Sequence, residues 1–241
     1  MIGIIGAMQV EIEGLKAQLT GAESQRISGI EFISGTLGDV PVVLAVCGIG
    51  KVFAAMCAQT MILRYGVSAV INTGVAGTLC RELGIGDVAV SSDVVQHDFD
   101  TTDFGDPAGQ VGNLDVVHIP ADPRLAELAR AAVEAQGCRC RVGTIATGDQ
   151  FLADPGRKHW IHDTFGAVAG EMEGGSIGQV CYVNGVPFVV IRAISDDADG
   201  HAPGSFSAFV DQTARTSIRV TAAVVKGIAH EQGMDCIAAE N

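Results

Sequence analysis

The sequence predicts an α/β fold: a single-domain, three-layer α/β/α sandwich around a central twisted mixed sheet. Three observations carry this. Short β-branched runs alternate with stretches of helical periodicity from residue 2 to about residue 230, the pattern of a layered sheet with crossover helices. Glycine reaches 31 residues while charged residues make up only 18% of a chain that is 48% hydrophobic, which suits an interior-rich protein with many tight turns and argues against disorder. No linker, repeat or low-complexity segment interrupts the 241 residues, so one domain over 1–241 is expected, with the residues from His230 onward (231–241) as a fraying tail.

Along the chain, the strands are IGIIG at 2–6, PVVLAVC at 41–47, SAVINTG at 68–74, DVAVSSDVV at 87–95 and PFVVIRAIS at 187–195. Each is continuously apolar for about 5–8 residues and ends at a turn-forming or small residue, the mark of a buried strand. ISGIEFISGTLG near 28–38 reads as an antiparallel, hairpin-like insert. Helical periodicity covers 7–19, 50–65, 123–136, 155–164, 173–184 and 206–230. PRLAELARAAVEAQG at 123–137 is the clearest case, with Pro123 early, apolar residues three and four apart, and Gly137 at the end. The segment 98–122 is rich in Asp, Gly and Pro and reads as a long functional loop.

A formal charge of -13 would repel phosphate backbones and anionic lipid, so neither nucleic acid nor a membrane surface is an expected partner. The start MIGIIGAM lacks a basic leader region and no apolar run has spanning length, which makes the cytoplasm the expected location. Seven cysteines, mostly inside apolar runs, read as reduced packing residues. Cys138 and Cys140 have no second pair or His cluster at zinc spacing, so no metal is expected.

Ligands of parallel sheets sit outside the carboxyl ends of strands, and four such places stand out. In GAMQVE at 6–11, Glu11 falls in the first helical turn, where a carboxylate serves catalysis or simply complements the helix dipole. NTGVAGTL at 72–79 is a Gly-bracketed turn whose bare backbone at Val75, Ala76 and Gly77 can approach a ligand or merely turn the chain. In GEMEGGS at 170–176, Glu171 and Glu173 point to opposite faces if extended, so one of them is expected to face the sheet's end. RAISDDAD at 192–199 places an acidic cluster after the most apolar strand, with an aspartate N-cap as the plain alternative. GDQF at 148–151 offers Phe151 as a platform for a flat ring, although a core phenylalanine is commoner. His97 in QHDFD reads as an ion-paired structural group. GIGKV at 48–52 fits neither a triphosphate loop nor a dinucleotide fingerprint.

Taken in order, GIIGAMQVE, CGIGKV, NTGVAG, HDFDTTDFG, TGDQF, EMEG and RAISDDAD resemble the motif series of the 5'-methylthioadenosine/S-adenosylhomocysteine nucleosidases, from about residue 2 to residue 230. That resemblance implies a nucleoside phosphorylase-like fold and cofactor-free hydrolysis of a 5'-modified adenosine. It makes Glu11 the carboxylate that readies the attacking water, Asp196 the acid that protonates adenine N7, and Glu173 the holder of the ribose hydroxyls. Met8, Ile49, Phe151, Met172 and Phe206 match pocket positions, with Phe151 against the purine and the backbone of Leu152 at its edge. Arg192 and Ser195 would support the acid and the water. A homodimer is implied, in which the loop with Thr101 and Phe104 closes over the neighbour's ligand.

The chemistry has its own logic. Breaking a ribosyl C–N bond builds positive charge on the sugar and negative charge on the base, so an acid is needed at N7 and an ionised carboxylate on the other flank. Asp196 would need burial, or neighbours such as Asp197 and Asp199, to stay protonated. Val75 stands where the family often has Ser, and Gln9 and Val10 where acids are frequent. Two rivals share the fold: a phosphorylase, which would need Arg residues where this chain reads GAMQVE and NTGVAG, and a hydrolase acting on aminodeoxyfutalosine in menaquinone synthesis. A nucleoside-binding module without turnover has no need of two opposed carboxylates.

Overall fold

The computed structural model describes residues 1–196 and 202–239, the side chains of 202–205 and 231–239 excepted. In chain order the elements are β1 (Ile2–Gly6), α1 (Gln9–Lys16), β2 (Leu19–Ile27), β3 (Ile30–Leu37), β4 (Val40–Val46), α2 (Lys51–Tyr65), β5 (Ala69–Thr78) and β6 (Val88–Gln96). They continue with β7 (Ile119–Pro120), α3 (Pro123–Glu134), β8 (Cys140–Thr147), α4 (Pro155–Phe165), β9 (Ala167–Glu171), α5 (Gly174–Asn184), β10 (Phe188–Asp196) and α6 (Ala202–Ala239).

The strands form one mixed sheet in the order β10-β6-β8-β9-β5-β1-β4-β3-β2, with β7 beside β6. β1 lies parallel to both β4 and β5, and β10 is parallel to β5. This is the helix-flanked mixed sheet that the alternation predicts. Periodicity does not convey closure: β10 pairs with both β5 and β6, so β5, β9, β8, β6 and β10 complete a circuit. The length of β5 permits it, because Ala69 to Asn72 pair with β1 while Gly77 and Thr78 turn antiparallel to β9.

Two apolar layers hold the helices. On one face Ala54, Cys57, Ala58 and Met61 of α2 and Ile177 and Cys181 of α5 pack on the sheet. On the other, Ile12 and Leu15 of α1, Leu125 and Val133 of α3, and Ile218 and Val225 of α6 do so. Each fully buried Leu, Ile, Val or Met among them contributes about 1.5–3 kcal/mol. The helix ends follow their sequence signals. Asp122 accepts the Leu125 amide ahead of Pro123, and Asp154 accepts those of Gly156 and Arg157 ahead of Pro155.

Five predicted strands and five helices are present within a few residues; α6 is longer than the predicted 206–230 and continues to Ala239, through most of the expected tail. β2, β8, β9 and the two-residue β7 lie outside the predicted strands. β2 is a polar, largely exposed edge strand, and β8 is only partly covered in its first half, so neither offers a continuous apolar run. The insert near 28–38 is the middle of a meander, with β3 antiparallel to both β2 and β4. The segment 98–122 holds one 3-10 turn at Thr102–Phe104 and the short β7. Among the described residues, Cys138 and Cys140 are free thiols, and no helix is long and apolar enough to cross a membrane.

Candidate active site

A cavity of about 320 Å³ opens where β1, β5, β9 and β10 end, and Glu11 and Asp196 are both on its wall. That volume is at the lower end of the range for small-molecule sites. The two carboxylates lean on β5 at different heights. A Cβ on Gly74 would collide with Glu11, and one on Gly77 would come within 2.6 Å of Asp196 Oδ2. Three residues of strand separate these glycines, about 10 Å.

Glu11 stands in the third position of α1, and its carboxylate turns back on the helix entrance. Oε2 accepts the amides of Ala7 at 2.7 Å and Met8 at 2.9 Å, and Oε1 accepts the amide of Val75 at 3.1 Å. The dipole alternative and the cavity position are therefore the same arrangement. Burial lifts its carboxyl above the usual range, opposed by Arg192 and the three amides, which suits a base rather than a fixed charge. Val75 supplies its backbone here, so the missing Ser hydroxyl leaves Glu11 held. Gln9 is exposed and Val10 half-buried; neither is on the cavity wall.

Asp196 closes β10. Its Oδ1 accepts the Ser195 hydroxyl at 3.2 Å and its Oδ2 accepts Lys158 Nζ of α4, also at 3.2 Å. Ser195 is within reach of the Ala76 carbonyl as well, at 3.3 Å. The carboxylates invoked in the sequence, Asp197 and Asp199, lie outside the described residues; the charged partner observed is a cation.

Glu171 and Glu173 both reach the cavity wall, which corrects the expectation that only one would. Strand alternation does not apply, because β9 ends at Glu171 and Glu173 already caps α5. Glu171 accepts the amides of Glu173 and Gly174, the Thr147 hydroxyl and the Arg192 guanidinium. Glu173 accepts the Gly50 amide at 2.9 Å, with Arg192 at 3.4 Å. Burial, then Glu171, pushes the Glu173 carboxyl up to about 7, against the pull of Arg192.

Arg192 is wholly buried, and Asn72 also accepts from it. Burial works against its charge, yet Glu171, Glu173 and Glu11 lift it above its ordinary value. It stands behind the carboxylates rather than on the wall. Gly74 is required for this, because a methyl group there would overlap the guanidinium too.

The apolar side of the cavity contains Met8, Ile49, Leu152, Met172 and the Phe151–Phe206 pair, whose rings meet edge to face at 5.9 Å. A short polar network clips these loops together. Lys51 bridges to Asp98 at 2.7 Å, Asp98 accepts the Asp149 amide, and Asp149 accepts the Lys51 amide. Lys51 and the Asp149 amide hold Asp98 below the usual carboxylate range despite burial. Lys51, read from GIGKV, thus joins a side-chain network and sits off the cavity wall. His97 is buried, and burial chiefly holds its imidazole below the ordinary value; the ion pair next to it belongs to Asp98.

Thr101 and Phe104 are not on the cavity wall of this chain, and Phe104 is 88% exposed. Among the described residues no cluster of three His, Cys, Asp or Glu stands together as metal ligands do. Sequence reasoning missed Lys158, Asn72, Thr147, Asp149 and Gln150. Asn72 opens the quoted NTGVAGTL, and Thr147, Asp149 and Gln150 sit inside the quoted TGDQF; a buried lysine at a helical periodic position carries no signal of its own.

A family model described as the phosphorylase superfamily matches residues 1–230. A relative from Shewanella sp. (strain MR-7), named 5'-methylthioadenosine/S-adenosylhomocysteine nucleosidase, is 46% identical over 87% of this chain and 89% of its own length. A solved nucleosidase from Helicobacter pylori, a mutant with 5'-methylthioadenosine in the active site, has a TM-score of 0.90 at 36% identity, covering 94% of this chain and 98% of that one. The Neisseria meningitidis nucleosidase in complex with methylthio-immucillin-A matches with the same four values. Futalosine hydrolase of Helicobacter pylori matches with a TM-score of 0.89 at 36% identity, over 94% and 97% of the two chains.

Proposed function

The chain belongs to the phosphorylase superfamily and, within it, to the 5'-methylthioadenosine/S-adenosylhomocysteine nucleosidases, and from that premise we propose how its cavity performs N-ribosyl hydrolysis. The reaction splits the bond between adenine and the 5'-thioribose of methylthioadenosine or adenosylhomocysteine. The observation that carries the residue roles is one cavity walled by both Glu11 and Asp196.

Glu11 takes a proton from water as the oxygen adds to the anomeric carbon. The electrons of the broken C–N bond pass into adenine, which receives a proton at N7 from Asp196. Glu173 accepts from the ribose hydroxyls, and Phe151 and Phe206 enclose the purine. Arg192 holds Glu171 and Glu173 at their stations, and its charge favours the ionised form of Glu11.

Hydrolysis rather than phosphorolysis is favoured by charge. The titratable groups on the wall among the described residues are Glu11, Glu171, Glu173 and Asp196; none is a cation, so the wall offers a phosphate nucleophile no positive partner, and its ionised carboxylates repel one. Incubation with methylthioadenosine in phosphate-free buffer should release adenine and free methylthioribose. Formation of the sugar 1-phosphate only when phosphate is added would overturn this. The likeness to a futalosine hydrolase supports a second substrate with the same adenine half and a different 5'-group. Aminodeoxyfutalosine run beside adenosylhomocysteine ranks the two.

The reading includes a homodimer in the cytoplasm, in which Thr101 and Phe104 cover the neighbour's 5'-group. The support for a dimer is an exposed apolar face on α2 and α5, with Val52, Phe53, Leu63, Tyr182 and Val183 open to solvent.

A further inference from the structure

We infer that Lys158 is the positioning residue of the acid: its ammonium aims the Asp196 carboxyl into the cavity and takes up the negative charge that appears there when the proton leaves for adenine. This rests on the assignment of Asp196 as proton donor.

Lys158 is only 2% exposed and Asp196 3% exposed. The Asp154 cap starts α4 and its amide bonds set the helix direction, so the fourth helical residue points inward, at Asp196 Oδ2, 3.2 Å away. Oδ1 is taken by Ser195, and Gly77 leaves no room for a side chain against the same carboxyl. Lys158 itself is not on the cavity wall, whereas Asp196 is. The carboxyl is thus gripped by Lys158 and Ser195 while Asp196 lines the cavity.

The charged groups around Asp196 among the described residues come from several elements. Lys158 of α4 touches it. Glu11 of α1, Glu171 of β9 and Glu173 at the start of α5 share its cavity, and Arg192 of its own strand is engaged by Glu171 and Glu173. The three acids disfavour a carboxylate at Asp196; Lys158, in direct contact, favours one. Donation converts the neutral acid to a carboxylate beside an ammonium, with one O–H bond broken at Asp196 and one N–H bond formed at N7. An attraction that is stronger after transfer than before lowers the barrier.

The test is the pH profile of kcat/KM for methylthioadenosine in Lys158→Met, Lys158→Gln, Lys158→Arg and Asp196→Asn, each checked for folding by circular dichroism. Loss of the ammonium keeps Asp196 protonated to higher pH, so the basic limb should move upward in Lys158→Met while the plateau falls. The expected fall is roughly tenfold or more, short of the full 10²- to 10⁴-fold effect of a general acid. Lys158→Arg should restore both limb and plateau. If Lys158→Met does not fold, Lys158→Gln, which keeps a donor without charge, is read by the same criteria. A basic limb at the wild-type pH in the uncharged variants overturns the inference and leaves a packing role. Full turnover by Asp196→Asn would instead mean that the assignment of the acid has failed.

Discussion

The amide of Val75 donates to Glu11 Oε1 across 64 residues of sequence, at 3.1 Å. This bond joins the entrance of α1 to β5 and, with the amides of Ala7 and Met8 on Oε2, leaves Glu11 as an acceptor towards the protein. Glu11→Gln must point its NH2 at amides that require an acceptor, or lose its hold on Val75. Turnover is expected to fall roughly 10²- to 10⁴-fold. Stability is expected to drop by about 1–3 kcal/mol. Adenine release and urea unfolding measure the two, and turnover within a few fold of wild type would remove Glu11 from the mechanism.

Gly74→Ala is expected to be as damaging as the loss of a charged residue, although it adds one methyl group. The new carbon would overlap both the Arg192 guanidinium and the Glu11 carboxylate. Neither is the free end of a mobile chain, since each is bonded in place. Overpacking of this kind costs about 1–3 kcal/mol. A variant with unchanged melting temperature and kcat would contradict the geometry.

Glu173 makes stability depend on pH in a stated direction. Its carboxyl is lifted from 4.5 to about 7 in the folded chain, so between those values the folded state holds a proton that the unfolded state has released. Stability is then greatest below the lower value and declines as pH rises through the higher one. Glu173→Gln should flatten this decline, so that the melting temperatures of variant and wild type diverge in the variant's favour between about pH 5 and pH 8. Parallel melting curves across that window would show that Glu173 titrates normally.

Leu63 of α2 is 76% exposed, on the face proposed to meet a second copy. Leu63→Glu would place a charge in that interface, with little effect on a monomer. Sedimentation is expected to show a shift to half the mass, and turnover of methylthioadenosine to fall because Phe104 no longer reaches a neighbour's cavity. An unchanged mass with full activity would leave the apolar face without this role.

Much of the wall was legible in the chain. Met8, Glu11, Ile49, Val75, Phe151, Leu152, Met172, Glu173, Ser195, Asp196 and Phe206 are all on it, because motifs at strand ends converge wherever parallel strands stop together. Glu171 was misjudged, since alternation holds only while the chain remains a strand. The Lys51–Asp98–Asp149 clip was invisible for another reason. Its partners are separated by 47 and 98 residues, and no local period relates them.

The sequence by itself determined the layered α/β class, the order of its main strands and helices, and the places where acids follow strands. Those properties are local: apolar runs, caps and turn residues act over a few neighbours. Only the tertiary structure decided that the sheet closes on itself through β10, that Arg192 stands behind three glutamates, and that a lysine from α4 meets Asp196. Buried charges settle where several distant elements supply partners at once, and desolvation makes any other arrangement costly.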